Sequence, residues 1–138
     1  LLFHALYGVY ISLTSSVTVK RYRYFRNWCY VLQRIAGIVT LLFVIWHIYG
    51  TKLQVELTGV DPSYAMVAGI VATPIGLTLF AIGLLCSIYH FCNGLWTFLI
   101  TWGITVSPRS QKISGYVLFA LFIAFAAFGL KALSAFAG

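Results

Sequence analysis

The charged residues of this chain are confined to a few short stretches, and the gaps between them dictate what it can fold into. Counting His as neutral, residues 1–19, 35–51, 62–108 and 113–130 carry no charge. A helix crossing about 30 Å of hydrocarbon needs about 20 apolar residues. Three of the gaps suit one crossing each. The gap 62–108 is too long for one, and Thr73-Pro74 divides it, with Thr as N-cap and Pro in the first helical turn. Segment 62–73 is too short to span and reads as interfacial or re-entrant. The expectation is a single integral-membrane domain over residues 1–138, an all-α transmembrane helical bundle. Its spans fall at about 1–18, 30–50, 75–103 and 114–137. Only 8% of residues are charged and 62% are hydrophobic, whereas a soluble domain carries about 25% charge. The runs do not alternate as barrel strands do.

The basic residues set the orientation. Nine Lys and Arg face two acids, a net charge of +7. In a membrane chain this excess marks cytoplasmic loops rather than nucleic-acid binding. Lys20, Arg21, Arg23, Arg26 and Arg34 lie around the first loop, and Arg109 and Lys112 in the third. Four spans put both loops in the cytoplasm. The loop holding Glu56 and Asp61 then lies outside, as does the C-terminus at Gly138. A fifth span over 62–73 would separate the basic loops. The chain starts without Met, and Leu1-Leu2-Phe3-His4 reads as mid-helix. The expectation is therefore an N-terminally truncated sequence with a further helix upstream.

All three histidines, His4, His47 and His90, fall within spans. An ionisable group in hydrocarbon is costly unless partnered, and marks function by default. The bland alternative is a His bonded to a neighbouring helix. His4 lies 16 residues before Lys20 and His90 17 residues before Ser107. At 1.5 Å per residue both sit about 25 Å from the inner loops, at matching depth. His47 lies toward the outer end of its span, five residues before Lys52. A zinc site wants three or four ligands, and no carboxylate lies in the spans. A haem needs one axial ligand on each face, which facing helices supply. His4 and His90 each have a Gly four residues on, Gly8 and Gly94, and His47 has Gly50 at three. Such glycines would let a planar macrocycle approach the backbone, although they also serve ordinary helix packing. Cys-x-x-Cys-His is absent, and Cys29, Cys86 and Cys92 form no ligand pattern.

At these residues the chain resembles a known family. The matching stretches include Phe3-His4-Ala5-Leu6-Tyr7-Gly8, Tyr24-Phe25-Arg26-Asn27-Trp28 and Leu32-Gln33-Arg34-Ile35-Ala36-Gly37. They continue with Trp46-His47, His90-Phe91-Cys92-Asn93-Gly94-Leu95-Trp96 and Thr101-Trp102-Gly103 through Gln111. The chain is similar to the cytochrome b membrane-anchor subunit of bacterial, Bacillus-type succinate dehydrogenase, the succinate:menaquinone oxidoreductase, a five-helix di-haem protein. The resemblance implies two haem b groups with paired His ligands. His4 and His90 map onto the inner haem. His47 maps onto the outer haem, whose other ligand sits on a family helix this chain does not contain. It also implies electron transport in the respiratory chain and tricarboxylic acid cycle, from a flavoprotein and an iron–sulfur subunit to menaquinone, in the bacterial cytoplasmic membrane. No residue here oxidises succinate; the resemblance implies that the chain serves that enzyme as its membrane subunit. The quinone site is expected near Trp46, His47 and Tyr49, and Arg34 is a candidate partner for a haem propionate. Loops 20–28 and 107–112 are expected docking surfaces, or contacts with anionic lipid. Fumarate reductase is the same machine run in reverse. A histidine-bearing transporter without haem, and an anchor without haem, are the remaining alternatives.

Overall fold

Thr73 and Pro74 begin a helix as the sequence requires. The Thr73 hydroxyl accepts the Gly76 amide at 3.0 Å, and Pro74 occupies the first turn. In the computed structural model, which describes residues 1–17, 19–60 and 63–137, this helix (α5, Pro74–Thr101) is central. It packs along α2 (Phe25–Ile48) on one side and α6 (Pro108–Ala137) on the other. The remaining helices are α1 (Leu2–Thr14), α3 (Gln54–Thr58) and α4 (Tyr64–Val71). One wide turn of π-helix, Tyr49–Leu53, joins α2 to α3. Asp61 and Gly138, placed outside by the charge argument, are not among the described residues.

Small residues allow the long helices to approach. A Cβ at Gly83 of α5 would fall inside the Phe43 ring of α2, and one at Gly129 of α6 would meet Leu84 Cδ2 at 2.9 Å. This is how apolar helices associate where lipid removes the hydrophobic drive between them. The outward faces carry Leu42, Ile45, Phe119, Ile123 and Phe128, all exposed, as a lipid-facing surface requires.

Helix ends differ from the expected spans for local reasons. α1 stops at Thr14, where Ser12, Thr14 and Ser15 turn their hydroxyls back onto carbonyls four residues earlier and Ser15 becomes extended. Hydroxyl side chains compete with the helix in this way. Its 13 residues cover about 20 Å, short of the hydrocarbon thickness. The apolar helices long enough to cross are therefore three among the described residues: Phe25–Thr58, Pro74–Thr101 and Pro108–Phe136. α6 starts six residues before the expected boundary. Ser107 and Ser110 cap it reciprocally, each hydroxyl accepting the other's amide at 3.0 and 3.1 Å. α5 ends through Gly103 at φ +68°, a left-handed residue that favours glycine. Within segment 62–73, too short to span, α4 (Tyr64–Val71) forms and packs against α5 and α6.

Both basic loops lie at one end of the bundle. Arg26 at the start of α2 donates to Gln111 Oε1 of α6 at 2.6 Å and lies over the Trp96 ring of α5 at 5.4 Å. Trp96 Nε1 donates to the Gln111 carbonyl at 2.9 Å. At the opposite end Tyr64 of α4 donates to the Ala135 carbonyl at 2.6 Å.

Candidate haem sites

α1 and α5 each bring one imidazole to the same level. The ring centres of His4 and His90 are 6.1 Å apart at an interplanar angle of 73°. Two metal–nitrogen bonds of about 2 Å, with each nitrogen about 1 Å from its ring centre, separate imidazole centres by about 6 Å. The pair therefore has the spacing of two ligands sharing one metal ion. The rings border a cleft of about 420 Å³ between α1 and α2, lined by Ala5, Gly8, Val9, Gly37, Leu41 and Val44 among others. That volume falls within the range of small-molecule sites. A Cβ at Gly8 would meet nothing within 4 Å, so the α1 backbone is open to the cleft.

The donor set suits a haem rather than a zinc ion. Among the described residues no three of His, Cys, Asp and Glu converge, and zinc needs three or four protein ligands. A macrocycle that brings its own four nitrogens asks the protein for two axial ligands. The cleft is apolar, has an open backbone at Gly8 and is bordered by two imidazoles at ligand-pair spacing, so its residues fit the group.

His90 is oriented by α2. Its Nδ1 lies 3.1 Å from the Gln33 carbonyl. A carbonyl only accepts, so Nδ1 carries the proton and Nε2 keeps the free lone pair. The ring passes directly over Gly37, where a Cβ would lie 2.8 Å from Cε1 and 3.0 Å from Nδ1. The Gln33 side chain donates to the His90 carbonyl at 2.9 Å and accepts from Asn93 Nδ2 at 2.9 Å. Asn93 is buried. Of the two His-xxx-Gly pairs, that of His4 and Gly8 opens the cleft. The other does not, because a Cβ at Gly94 would meet Gln33 Nε2 at 3.1 Å, so Gly94 makes room for the Gln33 amide. The charge-based reading of the spans passed over Gln33, Gly37 and Asn93. Their signal was there, in two amides inside apolar helices.

Arg34 lines the same cleft. Its guanidinium reaches the end of α1, donating to the Ile11 carbonyl at 3.2 Å and the Ser15 carbonyl at 3.4 Å. It also donates to the Tyr30 hydroxyl at 2.5 Å and lies 4.2 Å over that ring. Its Nε is buried without a partner. Cationic donors at the carbonyls of a helix C-terminus stabilise the helix end.

His47 stands apart, toward the other end of the bundle. It stacks on Phe43 at 5.8 Å and meets Phe80 edge-on at 5.5 Å. Its Nδ1 is buried with no hydrogen-bond partner. It borders a second cavity of about 440 Å³ with Trp46, Tyr49, Gly50, Gln54 and Met66. The π-turn begins two residues later, and such turns recur at functional sites.

Residues 16–129 match the family described as the succinate dehydrogenase/fumarate reductase transmembrane subunit. The succinate dehydrogenase cytochrome b558 subunit of Bacillus subtilis (strain 168) is 48% identical over 136 residues, which cover 99% of this chain and 67% of that protein. No solved structure matches the chain. An all-helical bundle with long apolar helices, histidine rings 6.1 Å apart on two of its helices and this identity along almost its whole length place the chain in the succinate dehydrogenase/fumarate reductase transmembrane subunit family, among its cytochrome b members.

Proposed function

We propose that the chain is the haem-bearing membrane anchor of a succinate:quinone oxidoreductase. In this reading electrons arrive from a flavoprotein and an iron–sulfur subunit and leave to menaquinone. The 6.1 Å spacing of the His4 and His90 rings beside an apolar cleft carries the reading. Haem b, when bound, would supply reversible one-electron chemistry. The protein's own contribution is to hold and tune. His4 and His90 would hold the group, and the Gln33 carbonyl at Nδ1 leaves Nε2 of His90 free. The apolar lining keeps water away. Arg34 stands at the cleft with charged donors for a propionate, in addition to its bonds to α1.

His47 would serve the outer haem, with Trp46 and Tyr49 beside the menaquinone site. Lys20, Arg21 and Arg23 are exposed at the end of the bundle proposed to face the cytoplasm, where the soluble subunits would dock. An optical spectrum of the purified protein tests the reading. A reduced-minus-oxidised α-band that disappears in His4→Ala and in His90→Ala is expected. A protein with no such band is not a cytochrome b, and the proposal falls.

A further inference from the structure

We propose that Gln33 is a positioning residue that sets the redox potential of the iron held by His90. The inference rests on the haem reading above and adds to it a residue that acts through the ligand without touching the metal. Gln33 grips His90 at both ends. Its backbone carbonyl accepts the ring proton from Nδ1 at 3.1 Å, and its side-chain amide donates to the His90 carbonyl at 2.9 Å. The amide oxygen is itself held by Asn93 Nδ2 at 2.9 Å, one turn further along α5. Every bond runs between α2 and α5, so the clamp locks the register of the two helices where the ligand stands.

The two glycines around the clamp belong to it. Gly94 leaves room for the amide and Gly37 leaves room for the imidazole; a Cβ would come within 3.1 Å of Gln33 Nε2 at the first and 2.8 Å of His90 Cε1 at the second. His4, by contrast, has no ring hydrogen bond among the described residues, its nearest aromatic partner being His90 itself. The tuned ligand is therefore His90.

A hydrogen bond donated from Nδ1 to a carbonyl pushes electron density into the ring and makes Nε2 a stronger electron donor to a metal. A stronger donor favours the oxidised, more positive iron and lowers the potential. The accepting carbonyl belongs to the backbone, so no side-chain substitution removes it. Its distance from Nδ1 depends on the α2–α5 register, which the Gln33 amide maintains. Loss of the amide should lengthen the Nδ1–carbonyl bond and raise the potential.

The experiment is a redox titration, with electron paramagnetic resonance of the low-spin signals, on the complete complex. The variants are Gln33→Met, close in shape but unable to hydrogen-bond, and Gly37→Ala, whose methyl pushes the ring away from the carbonyl. Tyr89→Phe is the control. It removes a different bond between the same helices, from the Tyr89 hydroxyl to the Cys29 carbonyl at 3.3 Å, one residue from His90. Gln33→Met and Gly37→Ala should each raise the potential of the component lost in His90→Ala and move its low-spin signal. Tyr89→Phe should leave both where they are. If Gln33→Met leaves the potential unchanged, or Tyr89→Phe shifts it equally, the clamp is ordinary packing and the proposal is overturned. A component that survives His90→Ala overturns the haem assignment itself, and the clamp with it.

Discussion

His4 and His90 belong to different helices and are 86 positions apart in the chain, yet their rings meet at 6.1 Å. If they share one iron, removing either should have the same spectral consequence. His4→Ala and His90→Ala are expected to abolish one and the same α-band component, and His47→Ala to spare it, because His47 stands in a separate aromatic pocket with Phe43 and Phe80. Difference spectra of the three variants check this. Arg34 carries two duties at this scale. It ties the end of α1 to α2 through the Ile11 and Ser15 carbonyls and faces the cleft. A hydrogen bond to a charged donor is worth about 1.5–3 kcal/mol. Arg34→Leu should therefore weaken retention of the His4/His90 component by roughly tenfold or more on the same scale, read as haem per polypeptide after purification. His47-linked absorption should persist.

Helix ends and helix crossings give the next set of expectations. The Thr73 cap is one hydrogen bond at the start of the central helix. Thr73→Ala should cost about 1 kcal/mol, and Thr73→Ser much less, in unfolding measured in detergent. At Gly83 of α5 the Phe43 ring of α2 fills the space a side chain would need. Gly83→Leu should drive Phe43 off its stacking position on His47. The predicted result is a disturbed His47 component with the His4/His90 component intact, because Gly37 and Gln33 lie more than a turn away along α2. An equal loss of both components would mean that the crossing, rather than the Phe43 ring, is what Gly83 preserves.

Across the whole molecule, the two basic loops share one end and the short helices α3 and α4 lie toward the other. Arg26 is spoken for: it joins α2, α5 and α6 through Gln111 and Trp96. Neutralising it would test the bundle as much as any partner. Arg21 and Arg23 are exposed and are the right pair to change. If the soluble subunits dock on this face, Arg21→Gln with Arg23→Gln should lower their co-purification while membrane insertion stays normal. Unchanged co-purification would assign these charges to topology alone. The same charge asymmetry predicts that a phosphatase fused after the last residue is active, since that end should face outward; activity of a cytoplasm-only reporter there would reverse the orientation.

The expected span 1–18 is met by a helix of only 13 residues, but three long apolar helices, the shared end of the two basic loops and the matching level of His4 and His90 were legible in the sequence. Each follows from a one-dimensional quantity: apolar length against membrane thickness, the position of charge, and rise per residue. The Thr73-Pro74 boundary was legible because capping is a local event. The stopping point of α1 and the early start of α6 were local too, but their signals lie in serine hydroxyls that a count of charges does not weigh. What tertiary structure alone decided is the environment of the ligands. That Gly37 rather than Gly94 lies beneath His90, that Gln33 holds the ring and the backbone of the same residue, and that Arg26 is committed to Trp96 and Gln111 all depend on the rotation of each helix about its axis. Membrane helices are apolar on most faces, so hydrophobic periodicity says little about that rotation. Close packing of small residues and a few interhelical hydrogen bonds set it instead, and both exist only once the helices have met.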